Sequence, residues 1–186
     1  TASDAAQLYR DTAQKRVYSR QELAEIAGQV DSEITFQVYS GYTLAPSEVF
    51  SLITFYLAQQ ISDGSNTPIT LSGTPLGPSS PAPRLRGPQD IPWDQFFRTV
   101  LKVEASLRKL NKIPSVIWFG STPCPPDSYL AAAAGMTRLL LDGKNIPDVV
   151  QITPAVLATK NYVADNDPRL WNWVIFPEKF SASNLM

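Results

Sequence analysis

Residues 38–68 read VYSGYTLAPSEVFSLITFYLAQQISDGSNTP, and residues 117–147 read IWFGSTPCPPDSYLAAAAGMTRLLLDGKNIP. Laid over each other without a gap, at an offset of 79, the two stretches share seven identities: Gly41 with Gly120, Thr43 with Thr122, Pro46 with Pro125, Asp63-Gly64 with Asp142-Gly143, Asn66 with Asn145 and Pro68 with Pro147. Related pairs fall between them, among them Val38 with Ile117, Tyr39 with Trp118, Glu48 with Asp127, Phe50 with Tyr129 and Ile61 with Leu140. The shared residues have physical jobs. Gly breaks a strand at a turn that a side chain would hinder. Pro fits the first turn of a helix, where a missing N–H costs nothing. An acidic residue two places on favours the positive end of the helix dipole, and Asp-Gly closes the helix. A fixed-register repeat of strand, breaker, opener, aromatic and closer reads as a duplicated unit. The competing explanation is two generic helix–strand–helix segments that share only common punctuation.

Outward from these stretches, the pattern fills in. Ser19 and Glu22 have capping-box spacing, and Leu23, Ile26, Ala27 and Val30 form one helical face after them. Ile34–Tyr39 reads as a strand, and Val49, Phe50, Ile53, Leu57 and Ile61 as the apolar side of the following helix. Pro68–Leu71 reads as a short strand. In the second pass Asp94 reads as the cap of a helix carrying Phe96, Val100, Val103 and Leu107. Strands follow at Pro114–Phe119 and Val149–Ile152, with a helix between them that Pro125-Pro126 opens. Residues 72–92 are rich in Gly, Pro and Ser, as a linker or a loop laid over the surface. A polar helix is predicted over residues 3–15, and Trp171–Phe176 is a further strand candidate.

The resulting expectation is an α+β fold of two related helix-strand-helix-strand units packed about a pseudo-twofold. Its divisions are 1–18 for an N-terminal helix, 19–72 for the first unit, 73–92 for the linker, 93–153 for the second unit and 154–186 for an extension with a strand.

Composition narrows the chemistry. The 186 residues are 44% hydrophobic, enough for a substantial core, and the net charge of −1 is dispersed over both signs. No basic stripe marks a nucleic-acid partner, and apolar runs break well before the roughly 18–20 residues of a membrane span. There is no His, and Cys124 is the sole cysteine. An intramolecular disulfide, Cys/His zinc sites and His-assisted Ser or Cys nucleophiles are therefore excluded. Asp165-Asn166-Asp167 lacks the Gly and distal Glu of a calcium loop, and no phosphate-binding glycine loop occurs. No cofactor or metal is expected. The first residue is Thr1 rather than Met, which reads as a processed product or a piece of a longer protein.

The order helix, strand, Gly turn, helix, Asp-Gly-x-Asn, Pro, strand resembles the pseudomurein-binding repeats of archaeal cell-wall proteins. Leu107–Val116 resembles that family's helix end, turn and strand, with Gly120, Pro125, Tyr129 and Leu130 following in place. Asp63–Ile69 resembles its closing segment, whereas Ile34-Thr35 stands where a Leu-Pro turn is expected. The resemblance covers residues 19–72 and 93–153. It implies a non-catalytic module of the cell envelope or exterior that binds a wall polymer or glycan. A protein–protein interaction or structural domain is the alternative, and a carboxylate glycosidase is the third reading.

Sugar binding uses flat rings that stack on apolar sugar faces, with amides and carboxylates at the edge. Tyr39, Tyr42 and Trp118 surround the two Gly turns, and Asn66 and Asn145 follow the two closers. Tyr42, just past the break, is the best exposed candidate. Tyr39, Trp118, Phe50 and Tyr129 read first as core at these spacings, with stacking as their other role. Trp171 and Trp173 alternate around Asn172 and share a strand face, either as a stacking platform or as a seal between the units. Asp63 and Asp142 read as helix closers. Glu48 and Asp127, the pair a glycosidase would need, read first as helix-start charges.

Overall fold

The computed structural model describes residues 17–39, 42–158 and 173. The helix predicted over 3–15 and the strand predicted over 171–176 lie outside these residues, Trp173 excepted. The fold is α+β, with helices and small two-stranded pairings.

The first run is β1 (Val17–Tyr18), α1 (Arg20–Gly28), β2 (Glu33–Ile34), β3 (Gln37–Tyr39), β4 (Tyr42–Leu44), α2 (Pro46–Ser62) and β5 (Ile69–Thr70). The second is β6 (Gln89–Pro92), α3 (Trp93–Leu110), β7 (Ile117–Phe119), β8 (Thr122–Cys124), α4 (Pro126–Leu141), β9 (Val149–Ile152) and β10 (Val156–Leu157). Each run places a helix, a hairpin and a second helix between two strands that pair antiparallel. β1 pairs with β5 and β6 with β9, while β3–β4 and β7–β8 are the hairpins. The strand predicted at Ile34–Tyr39 divides into β2 and β3, and β2 pairs in parallel with β10 of the other run. Gly120 thus marks a hairpin that leads into its helix through one further short strand, as the β3–β4 hairpin does into α2.

Local chemistry sets the boundaries. The Ser19 hydroxyl accepts from Glu22 N–H, and a Glu22 carboxylate oxygen accepts from Ser19 N–H at 2.8 Å, completing the capping box of α1. Pro46 and Pro126 occupy the first turns of α2 and α4. Helix α3 begins at Trp93 behind Pro92, so Asp94 lies inside its first turn rather than at its cap, paired with Arg98. Asp63 and Asp142 are the last cap residues of their helices. Gly64 and Gly143 follow at φ +65° and +66°, the left-handed region that glycine adopts without steric cost.

The structural register corrects the offset read from the identities. Tyr39 closes its hairpin opposite Tyr42, and Phe119 closes the other opposite Thr122. These positions lie 80 apart, as do Leu44 and Cys124 at the strand ends and Pro46 and Pro126 at the helix starts. Only at Asp63 and Asp142 does the offset return to 79, because α4 is 16 residues long and α2 is 17. The counterpart of Trp118 is therefore Val38, and that of Glu48 is Ser128.

The helices pack across the runs. α1 lies on α4, α2 on α3, and α2 on α4, with α1 also touching α2. Phe50 of α2 meets Tyr129 of α4 at 5.2 Å between ring centroids, and Phe96 of α3 stacks on Phe119 of β7 at 5.7 Å. All four rings are fully buried, each contributing roughly 1.5–3 kcal/mol of transfer free energy. Arg138 of α4 donates to the carbonyls of Ala27 and Val30 at 2.8 and 3.0 Å, where α1 ends. The segment between the runs is mostly exposed, with Pro75, Gly77 and Pro78 buried, and is tied down. Leu76 N–H donates to Asn111, Ile113 N–H to Leu76, and Ser80 N–H to the Ser115 hydroxyl.

Candidate functional site

Alternation decides what the second hairpin shows to solvent. In β7, Ile117 and Phe119 point into the core, so Trp118 points away. Its side chain is 56% exposed. Trp118 read first as a core residue, and the structure places it on the surface instead. Thr99 of α3 fixes the backbone beneath it, donating its hydroxyl to the Trp118 carbonyl at 3.2 Å.

Between β7 and α3 runs a groove of about 490 Å³. Trp118, Pro114 and Val116 supply an apolar wall, and Gln95, Arg98 and Lys102 a polar one. The three polar residues recur at i, i+3 and i+7 on α3, beside the buried Phe96, Val100 and Val103. Gly120 closes one end at φ +62°. A Cβ there would come within 2.3 Å of the Gln95 amide nitrogen, so the amide packs against bare backbone. Arg98 is committed to Asp94, with its Nε also donating to the Asp94 carbonyl. Lys102 forms no ion pair among the described residues.

The other predicted residues scatter. Tyr39 is half-buried against the core. Burial and a hydrogen bond to the Glu25 carboxylate push its phenol up to about 12. Tyr42 contributes the backbone that pairs with Tyr39, and its side chain lies outside the described residues. Asn66 accepts from Arg20 at 3.2 Å, and the same guanidinium donates to the carbonyls of Leu140 and Leu141, a tie between the runs. Asn145 is exposed, away from the groove. Trp171 lies outside the described residues. Trp173 belongs to the core and not to a surface platform. It is 3% exposed, its ring stands edge-on to Phe50 at 5.7 Å, and its carbonyl accepts from Ser47 N–H. A ring enclosed in this way has no face for a ligand, which leaves sealing as its role.

The carboxylates are held at helix starts. Glu48 is 1% exposed; it accepts from Ala45 N–H at 2.9 Å and from the Thr74 hydroxyl at 2.5 Å. Asp127 accepts from Ser128 N–H at 2.8 Å, and burial raises its pKa. Neither lines the Trp118 groove. Burial pushes the Cys124 thiol up to about 12, which keeps it protonated and unreactive. Among the described residues there is no cluster of three metal-ligating side chains, and no helix is long and apolar enough to cross a membrane.

Sequence reasoning passed over Gln95, Arg98 and Lys102. The available signal was their polar spacing along one edge of a strongly amphipathic helix, but only the hairpin register shows that Trp118 faces that edge. Compared with family models, curated proteins and solved structures, the chain finds no match.

Proposed function

We propose that this chain is a non-catalytic binding or anchoring module of the cell envelope or exterior, which takes a polymer segment with a glycan character in the Trp118 groove. One observation carries the reading: an exposed indole forms one wall of an open groove whose other wall carries the Gln95 amide, the Lys102 ammonium and the Asp94–Arg98 pair. A flat ring offers stacking to the apolar face of a sugar, and the opposite wall offers hydrogen bonds to its hydroxyl edge. An open groove suits a polymer, which extends beyond the site. The shared order of elements in the two runs supports a duplicated unit, and the resemblance to pseudomurein-binding repeats supplies the ligand class. The carboxylates support no hydrolytic reading, since Glu48 and Asp127 engage backbone N–H groups away from the groove.

The test is co-sedimentation with insoluble wall polymers, with indole fluorescence followed against soluble fragments. Trp118→Ala is expected to weaken binding by about tenfold or more, the usual effect of removing an aromatic anchor, while urea unfolding stays close to that of the parent. Val38→Ala, at the corresponding position of the other hairpin, is expected to bind normally. Failure to bind any wall polymer would shift the reading to a protein partner.

A further inference from the structure

We infer that the Trp118 groove selects acidic polymers, with Lys102 as the residue that receives a carboxylate of the ligand. The inference rests on the groove reading above and names the ligand's charge class.

Three observations place the charge. First, Asp94, Arg98 and Lys102 follow one another at i, i+4 and i+8 along α3, and all three line the groove. Second, Arg98 pairs with the Asp94 carboxylate, which neutralises that end, and its Nε also donates to the Asp94 backbone carbonyl. Lys102, one turn further on, is exposed and has no ion pair among the described residues. Among the described residues, the groove lining therefore carries one positive charge without an ion-pair partner. Third, the chain as a whole is slightly acidic, at net charge −1. Diffuse attraction to an acidic polymer is thus not expected, and any preference for acid groups must come from a local site.

The geometry fits a sugar acid or an acidic peptide side group. The ring face of one residue lies on Trp118, the Gln95 amide addresses a neutral polar group, and the carboxylate lies against the Lys102 ammonium. The Lys102 stem packs along the groove while its head stays in water, as amphipathic cations do. A hydrogen bond to a charged acceptor is stronger than a neutral one, so this contact separates acidic from neutral polymers.

The experiment compares one wall preparation before and after its carboxyl groups are converted to methylamides. Three proteins are measured: the full chain, Lys102→Gln, and Arg86→Gln as a control for an exposed cation outside the groove. The native wall is expected to hold the parent and Arg86→Gln equally. Amidation is expected to weaken both by about tenfold, and Lys102→Gln is expected to bind the native wall as weakly as the parent binds the amidated one. Equal binding of native and amidated walls by the parent overturns the inference and leaves wall binding intact. A loss with Lys102→Gln that is the same on both walls also overturns it, since Lys102 then reads something other than a carboxylate. Binding to neither wall removes the groove reading itself, and the inference with it.

Discussion

The two hairpins have the same place in their runs and present different surfaces. β3–β4 shows Val38, 63% exposed, at the position where β7–β8 shows Trp118. The helix facing each hairpin differs as well. α1 has 9 residues and α3 has 18, so only the second hairpin has a long polar edge beside it. Below the hairpins the runs converge again. Glu48 and Ser128 stand at the same turn of their helices, both buried, and each ties down the chain that follows the last strand of its run's antiparallel pair. Glu48 accepts from Thr74 beyond β5, and Ser128 accepts from Ala155 N–H at 3.1 Å beyond β9. The shared features lie in the scaffold and the differences lie on the surface. The hairpin that carries the groove is the one with a long helix beside it.

The largest effect is expected where the runs share a core. Tyr129 is enclosed by Phe50 from the first run and by Phe96 and Phe119 from its own, with its hydroxyl 3.4 Å from that of Thr54. Tyr129→Ala is expected to cost about 3–5 kcal/mol, the range for emptying a buried aromatic site. Urea unfolding followed by indole fluorescence and by far-ultraviolet circular dichroism should then shift as one transition. Two separate transitions would mean that the runs fold as independent bodies and that the contact between Phe50 and Tyr129 is incidental.

The next effect separates the two helix starts. Glu48→Ala removes the acceptor of a backbone N–H and of the Thr74 hydroxyl, both in buried or half-buried surroundings. It is expected to cost about 2–3 kcal/mol, as loss of a charged acceptor does. Ser128→Ala removes one neutral acceptor and is expected to cost about 1 kcal/mol. Denaturation midpoints at constant slope give both values. If Ser128→Ala costs as much as Glu48→Ala, the tie to the following segment outweighs the charge, and the two positions are closer equivalents than their chemistry suggests.

Much of the scaffold was readable because punctuation is local. Ser19 with Glu22, Pro46, Asp63-Gly64 and Asp142-Gly143 act through their own backbone groups, and each bounds a helix where the sequence indicates. The hairpins were hidden for two reasons. Their second strands are three residues long, and Thr122-Pro123-Cys124 carries a proline that normally argues against a strand. The one-residue slip in register came from the Pro125-Pro126 doublet. Matching Pro46 to the first proline also brings Gly41 onto Gly120, so identity rewarded the wrong alignment. A slip of one residue in a strand exchanges its faces, and here it exchanged Tyr39 for Val38 as the partner of Trp118. The groove was out of reach for the same reason, since its two walls are joined only through the facing of β7.

The smallest expected difference in stability, between two glycine variants, carries the sharpest comparison of surfaces. Gly64 and Gly120 have nearly the same backbone, at φ +65° and +62°. Alanine at either position adopts the left-handed region at a cost of about 1–2 kcal/mol, so backbone strain alone predicts equal destabilisation. Their surroundings differ. A Cβ at Gly64 meets nothing within 4 Å, whereas one at Gly120 lies 2.3 Å from the Gln95 amide nitrogen. That amide ends a flexible side chain, so it can swing aside at little energetic cost, but Gln95 lines the groove beside Trp118, so the move rearranges the groove wall. Gly64→Ala and Gly120→Ala are therefore expected to unfold at similar urea concentrations and to differ in wall binding, which only Gly120→Ala weakens. Removing the amide as well, in Gly120→Ala with Gln95→Ala, separates the two causes. Binding that recovers in the double variant means that the displaced amide was blocking the groove. Binding that stays weak means that the hydrogen bonds of Gln95, and not the room it leaves, hold the ligand.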